Sequence, residues 1–467
     1  MQIIGREFEK RELKRLYESG QPEFIAVYGR RRVGKTFLVK EYFHNKFTFY
    51  ATGLARGCRK EQLEHFHSSL REYGLKGIAV PKCWKDAFAG LRKTVERSKE
   101  KRKVIFLDEV PWMDTQKSDF LQAIDLFWNE WASAREDVML IVCGSAASWM
   151  VKNIIRDKGG LHNRLTCRLH ISPFNLEETR QYLDSRGVHW NNLSIAECYM
   201  AMGGIPFYLQ QIDRTLSLAQ NLDRLFFNEN GLLSEEYDNL YSSLFKQSEQ
   251  YVRIVESLFD KRSGLSREEI VKKTGISNGG GLTRKLDELE QCGFIKKYKA
   301  VAADCAIYQL VDFFSIFYLY FVRKQRSSDE DTWMHLQGTR THSAWLGLGF
   351  ERLCFAHASQ IRHALGISGI ATKTFALYTG EAQIDMLIDR SDRTVTVCEM
   401  KWTENSEYAL SKSEAEKLDK RIRVARERYP RKNCMVCMVT SCGLKQNAIA
   451  MEKVRKSITL DQLFLAI

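Results

Sequence analysis

The chain has little proline, no long apolar run and no cysteine framework. Only 6 prolines occur in 467 residues and no low-complexity tract interrupts them, which excludes long extended linkers as the main organisation. The most apolar stretch, Leu310–Val322, contains Asp312 and is too short for a bilayer span of about 20 residues. Charge begins at Arg6, so the start does not read as a secretory leader. A soluble, cytoplasmic protein with no membrane partner is expected. The 12 cysteines are scattered and are read as free thiols of a reducing compartment. The one close pair, Cys434 and Cys437, lies in NCMVCMVT. In a strand, positions three apart face opposite sides, so a shared zinc is not expected.

Negative charge is also in deficit. Lys and Arg number 71 against 58 Asp and Glu, a formal net charge of +13. Such a balance favours a polyanionic partner, nucleic acid first. The length fits about three domains of ordinary size.

What the chain does contain is FIAVYGRRRVGKTFLVKE at residues 24–41. An apolar run ends at Gly29, and a helical pattern begins at Lys35. Gly29, Arg30, Arg31, Arg32, Val33, Gly34, Lys35 and Thr36 match G-x-x-x-x-G-K-[ST] without mismatch, between strand and helix. Glycines let backbone N–H groups turn toward phosphate oxygens, and the helix N-terminus adds partial positive charge. Lys35 is placed for the β- and γ-phosphates and the Thr36 hydroxyl for Mg²⁺. A nucleoside triphosphate and Mg²⁺ are the expected ligands.

About 70 residues on, KVIFLDE at 103–109 reads as a buried strand ending in two carboxylates, on the carboxyl edge of a parallel sheet. Asp108 suits Mg²⁺ and Glu109 suits the base that polarises the attacking water. A third buried strand, Val138–Val142, ends near Ser145, which either senses the γ-phosphate or caps the next helix. Further strands are expected at 47–51, with helical spacing over 60–100.

IIGRE, GRRRVGKT, FLDEV, the strand ending in Gly144-Ser145, Asn163-Arg164 before ISPF, and Gly203-Gly204-Ile205-Pro206 resemble a prokaryotic AAA-type ATPase family of the signal-transducing P-loop branch. Many members carry a C-terminal domain of unknown function, DUF234. The resemblance implies ATP as the nucleotide and Arg164 as an arginine finger or sensor, the alternative being a surface salt bridge. It also implies a helical lid over 169–246 whose Pro206 segment closes the nucleotide pocket.

Residues 247–312 read as three helices and a hairpin, a winged helix-turn-helix pattern. Ser266 and Glu269 form a capping box. Thr283, Arg284 and Lys285 are offered to a groove, and Lys296, Lys297 and Lys299 to phosphates, although Gly279–Gly281 weakens that helix and such modules also dock proteins. A helical connector spans 313–343. Over 344–467 the order helix (344–365), strand (371–378), strand (382–389), strand (393–402), helix (411–429), strand (433–440) is similar to the PD-(D/E)XK restriction-endonuclease-like core. Asp385 ends the second strand's QID. Glu399 and Lys401 share a face of the third. Two carboxylates and a lysine suit Mg²⁺-assisted phosphodiester cleavage, and Glu351 fits a further acidic position of that core. The basic helix Lys417–Arg428 either follows a phosphate backbone or is a solvated face.

The fold class expected is therefore multidomain α/β: a parallel-sheet P-loop ATPase core (1–168), helical lid, winged helix, connector and restriction-endonuclease-like domain. The function expected is an ATP-hydrolysing switch acting on DNA, including as an ATP-regulated nuclease. The alternatives are a signalling scaffold, with a homo-oligomer or protein partner, and a DNA-binding regulator.

Overall fold

The apolar runs of the amino-terminal part become strands buried on both faces. A computed structural model, which describes residues 2–155, 163–245, 247–299, 306–324, 331–379 and 381–466, places five strands in one sheet. They are β1 (Glu23–Tyr28), β2 (Phe49–Thr52), β3 (Lys103–Asp108), β4 (Val138–Gly144) and β5 (Cys167–His170), in the order β2-β3-β4-β1-β5. All the pairings are parallel. Every residue of β3 and β4 is buried, as expected where helices cover both faces of a sheet. The surrounding helices include α1 (Glu7–Glu18), α2 (Lys35–Tyr42), α3 (Arg59–Glu72) and α4 (Trp84–Arg97). Phe66 and Leu70 of α3 and Trp84, Phe88 and Leu91 of α4 join Phe49 and Ile105 in one apolar cluster. Each such side chain contributes about 1.5–3 kcal/mol by leaving water.

The chain divides into two compact units. One comprises the described residues of Met1–Pro173, Leu244–Lys246 and Thr283–Gly293; the other comprises those of Phe174–Ser243, Gln247–Leu282 and Phe294–Ile467. In the second unit, Leu310–Val322 is core. Asp312 caps the helix Phe313–Phe317 by accepting from the Ser315 N–H at 2.9 Å. Phe317 and Phe321 pack on Trp333 and Trp345. Among the described residues no helix is long and apolar enough to cross a membrane.

Helices Ser248–Phe259, Arg267–Thr274 and Gly280–Gln291 alternate with a small antiparallel sheet whose β6 (Leu265–Ser266) follows the first helix and whose β7 (Ile295–Lys299) and β8 (Ala306–Leu310) follow the third, ordered β6-β8-β7. The Ser266–Glu269 capping box is formed. The last helix begins within the glycine run.

The carboxyl-terminal sheet contains β9 (Thr372–Tyr378), β10 (Gln383–Arg390), β11 (Thr394–Lys401), β12 (Asn433–Thr440) and β13 (Lys456–Thr459), ordered β13-β12-β11-β10-β9. Its first three strands are antiparallel and its last three parallel. The helix Lys412–Arg428 is the crossover that the parallel β11–β12 pair requires. The β9–β10 register shifts between Ile384 and Leu387, a bulge beside Asp385 of the kind that re-aims side chains.

The single helix expected over 344–365 is two, Arg340–Ala356 and Ala358–Ala364. His357 stands at the break. Its Nδ1 donates to the Leu353 carbonyl at 2.9 Å and its Nε2 accepts from the Leu176 N–H at 3.0 Å. Burial lowers its pKa to about 4, which keeps the ring neutral for both bonds.

Candidate nucleotide site and carboxyl-terminal acidic site

The phosphate-loop sequence forms the turn between β1 and α2. Gly29 has φ 151° and Gly34 has φ 86°. A Cβ at Gly29 would stand 2.2 Å from the Ile171 carbonyl oxygen beyond β5, so only glycine fits there. Arg32 also takes a left-handed conformation, φ 72°. Lys35 opens α2 and is 5% exposed. Its Nζ donates to the Arg30 carbonyl at 2.8 Å, and among the described residues it has no carboxylate within ion-pair distance. A buried ammonium bonded only to a neutral carbonyl is costly, and an anion would stabilise it.

Neighbouring strands bring the other expected groups to this edge. The Thr36 hydroxyl donates to Asp108 Oδ2 at 2.8 Å. Hydroxyl and carboxylate oxygens side by side are a hard-cation donor set that suits Mg²⁺. Glu109 lies just past β3 with φ 47°, a strained conformation for a non-glycine residue that costs about 1–3 kcal/mol. Its N–H donates to Asp108 Oδ1 at 3.0 Å, and its carbonyl accepts from the Trp112 N–H at 2.9 Å. Since β4 lies between β3 and β1, the end of β4 delivers Ser145 to Glu109. The Ser145 hydroxyl donates to Glu109 Oε2 at 2.8 Å and the Ser145 N–H to the same oxygen at 3.1 Å. The alternative of Ser145 as a helix cap fails, because the cap position falls on Ala146 and carries no side-chain bond.

Arg6 was legible only as part of the IIGRE motif. The structure gives it a place: its NH2 donates to the Val33 carbonyl at 3.3 Å and to the Ser172 carbonyl at 2.6 Å. It thus ties the phosphate loop to the segment after β5. The signal lay in Gly5 and Arg6, both with positive φ. His170, at the end of β5, packs tilted against Tyr28 at 5.0 Å. Its pKa is lowered by burial, then by Lys35 and Arg6.

Other expected residues are less engaged. Arg164 is exposed, and among the described residues it has no hydrogen bond or ion pair. Pro206 opens the short helix Pro206–Leu209 of the second unit, after Gly203 and Gly204 at φ 72° and 65°. Lys285 is 5% exposed, which corrects the expectation that it is offered to a groove. Its helix segment belongs to the phosphate-loop unit, where Cys292 is buried and senses the charges of Arg30 and Lys35. Arg284, Lys296 and Lys297 are exposed; the Lys299 side chain lies outside the described residues.

In the carboxyl-terminal sheet, Glu399 is 3% exposed and Asp385 6%. The Met400 N–H between Glu399 and Lys401 donates to Asp385 Oδ2 at 3.4 Å. Glu399 pairs with Lys401 Nζ at 2.8 Å and with Arg421, from the crossover helix, at 2.8 Å. Burial, then Glu399 and Glu351, raises the Asp385 pKa to about 7. Glu351 does not complete a metal cluster as expected. Its carboxylate is held by Arg262 at 2.9 Å, and no group of three or more His, Cys, Asp or Glu able to hold a metal exists among the described residues. The expected basic face of the crossover helix is partly spent inward, since Arg421 also donates to the Gln383 carbonyl.

Comparison with known proteins places the first site in context. Residues 4–212 match a family described as an ATPase domain predominantly from Archaea. An uncharacterized protein of Methanocaldococcus jannaschii is 23% identical over 88% of this chain and 90% of its own length. A 44-residue stretch is 41% identical to an uncharacterized ATP-binding protein of the same organism, covering 9% of this chain and 75% of that protein. Among solved structures, a Walker-type ATPase of Pyrococcus abyssi aligns at 18% identity and TM-score 0.48, over 67% of this chain and 95% of that one. The ORC2 protein of Aeropyrum pernix aligns at 13% identity and TM-score 0.42, over 70% of this chain and 96% of that one.

Proposed function

We infer that this chain, a P-loop ATPase by its domain at residues 4–212, is a nucleotide-driven switch that binds ATP with Mg²⁺ at Gly29–Thr36 and hydrolyses it. The observation that carries this is the buried Lys35, which among the described residues has no carboxylate partner, beside the 2.8 Å Thr36–Asp108 bond. Lys35 neutralises phosphate charge, and the loop N–H groups and the start of α2 orient it. Thr36 and Asp108 would hold Mg²⁺, which when bound draws charge off the phosphate oxygens. Glu109, aligned by Ser145, accepts a proton from water. Arg164 is the reserve cation for the transferring phosphoryl group. Steady-state ATPase assays with calorimetry test the assignment. Lys35→Ala is expected to lose nucleotide affinity about a hundredfold. Glu109→Gln is expected to keep affinity and lose turnover. Normal turnover in Glu109→Gln would overturn the assignment of the base.

The partner we propose is DNA, met by the basic surplus and, in the winged-helix assignment of 247–312, by exposed Arg284, Lys296 and Lys297. Charge reversal at these positions is expected to weaken DNA binding and flatten its salt dependence; indifference would exclude this face.

A second proposal is favoured by the Asp385–Met400 hydrogen bond and the Glu399–Lys401 pair: a nuclease-like site in which Asp385 and Glu399 hold Mg²⁺ and Lys401 neutralises the phosphodiester. Plasmid cleavage with Mn²⁺ that is lost in Lys401→Ala is the expected result. No cleavage by the wild type, with or without ATP, leaves the chain as a non-cleaving switch or scaffold.

A further inference from the structure

The phosphate loop occupies the carboxyl edge of the parallel sheet. At the opposite edge, where β2 and β3 begin, lies a half-open cleft of about 570 Å³, within the usual size of small-molecule sites. Its walls come from the ends of α1, α2 and α3. Tyr17, Tyr42, Phe43, Phe47 and Tyr73 supply aromatic surface, and Arg102 supplies charge. The rings already pack against one another: Tyr17 tilted on Phe43 at 5.8 Å, Tyr42 edge-on to Phe43 at 5.0 Å and Phe43 tilted on Phe47 at 6.0 Å. None of the three tyrosine hydroxyls has a hydrogen-bond partner among the described residues.

The cation is the informative member. Arg102 donates to two backbone carbonyls, Leu16 at 3.0 Å and Glu136. Its Nε has no partner, and neither does the Thr48 hydroxyl in the same cleft. Among the described residues Arg102 has no carboxylate within ion-pair distance; it feels the charge of the buried Glu23 first and then that of Asp137, which is taken by Lys103 and Arg135. Burial accordingly lowers its pKa. Lys46 and Glu100, both exposed at the cleft, cancel one another, so the net charge facing a ligand is that of Arg102. A half-buried guanidinium with no carboxylate at ion-pair distance among the described residues, framed by aromatic faces, suits a planar anion: the rings offer π-surface and the guanidinium fork matches a carboxylate.

We propose that this cleft is a second ligand site, separate from the nucleotide site, that takes a small aromatic carboxylate with its ring among Tyr17, Tyr42, Phe43 and Tyr73 and its carboxylate on Arg102. The proposal does not depend on how the phosphate loop is used.

The test is calorimetric titration of the full chain with 2-naphthoate, against neutral 2-naphthamide and non-aromatic cyclohexanecarboxylate. Saturable binding of 2-naphthoate in the submillimolar range is expected, with both controls at least about tenfold weaker. Arg102→Gln is expected to lose about tenfold or more of this affinity. Because Arg102 also anchors two carbonyls, Tyr17→Ala is the second variant. Its side chain is 41% exposed, so folding and ATP affinity should stay at wild-type values while 2-naphthoate affinity falls severalfold. No saturation by about 5 mM, equal affinity for acid and amide, or unchanged affinity in a folded Tyr17→Ala would overturn the site.

Discussion

Replacing Ser145 by alanine separates two roles for one hydroxyl. In the structure that hydroxyl donates to Glu109 Oε2 at 2.8 Å, while the Ser145 N–H holds the same oxygen at 3.1 Å. The variant removes the first bond and keeps the second. A hydrogen bond to a charged group contributes about 1.5–3 kcal/mol. The retained N–H and the partial exposure of Glu109 put the loss at the lower end, about 1.5 kcal/mol, or about tenfold in kcat. Ser145 acts through the carboxylate, so KM for ATP should not move. Calorimetry in the Glu109→Gln background sharpens the comparison. There, adding Ser145→Ala should leave the affinities for a non-hydrolysable ATP analogue and for ADP unchanged, because the hydroxyl meets the side chain of residue 109 and not the nucleotide. If Ser145 met the γ-phosphate directly, the analogue would weaken and ADP would not. That result, or an undiminished kcat in the single variant, refutes the alignment of Glu109 by Ser145.

Two further perturbations follow from buried charge. Arg6→Ala removes the donors that tie the Val33 and Ser172 carbonyls together. A loss of about 1–3 kcal/mol should lower Tm by several degrees in thermal unfolding, together with nucleotide affinity; an unchanged Tm would show that the tie is idle. Asp385→Asn acts on pH dependence. Because burial raises the Asp385 pKa from 3.8 to about 7, the folded state holds that proton more tightly than the unfolded chain. This contribution is fully present below pH 4 and is lost as pH rises to about 7. Urea unfolding of Asp385→Asn should show a flatter stability profile over that window, and an identical slope would contradict the buried placement.

The phosphate-loop edge was legible because its chemistry is local. Gly29, Gly34, Lys35 and Thr36 sit in eight consecutive residues, and an all-apolar run ending in Asp108 and Glu109 marks a buried parallel strand. The Ser145–Glu109 bond was half legible. The strand end was expected, but its partner depends on β4 lying between β3 and β1, a matter of sheet order that periodicity does not encode. β5 escaped notice because Cys167–His170 is short and mixes polar with apolar residues. β13 escaped for the same reason at Lys456–Thr459. Lys285 was misjudged because its helix was read as an isolated module, whereas Lys285 is buried and Thr283–Gly293 belongs with the phosphate-loop unit. The Arg262–Glu351 pair joins residues 89 positions apart, beyond any motif.

The two acidic sites differ in what already neutralises them, and this separates their chemistry. Asp108 accepts from a neutral hydroxyl, so its negative charge is unspent and a divalent cation gains it in full. Glu399 is held by both Lys401 and Arg421 at 2.8 Å, and a metal there competes with a cation the chain supplies itself. Arg421→Ala therefore discriminates between a latent metal site and a structural ion triad. A metal site freed of its competitor should bind Mn²⁺ at least about tenfold more tightly, because removing one charge-assisted contact is worth about 1.5–3 kcal/mol. Added Mn²⁺ should then raise Tm in proportion to occupancy. A triad that serves packing alone should instead be destabilised by the unpaired buried carboxylate, by about 3 kcal/mol or more, with no recovery on adding Mn²⁺. Electron paramagnetic resonance of bound Mn²⁺ in Arg421→Ala, with Glu399→Gln in the same background as the control that should abolish the signal, decides between them; a destabilised variant without a bound-metal spectrum removes the nuclease-like proposal.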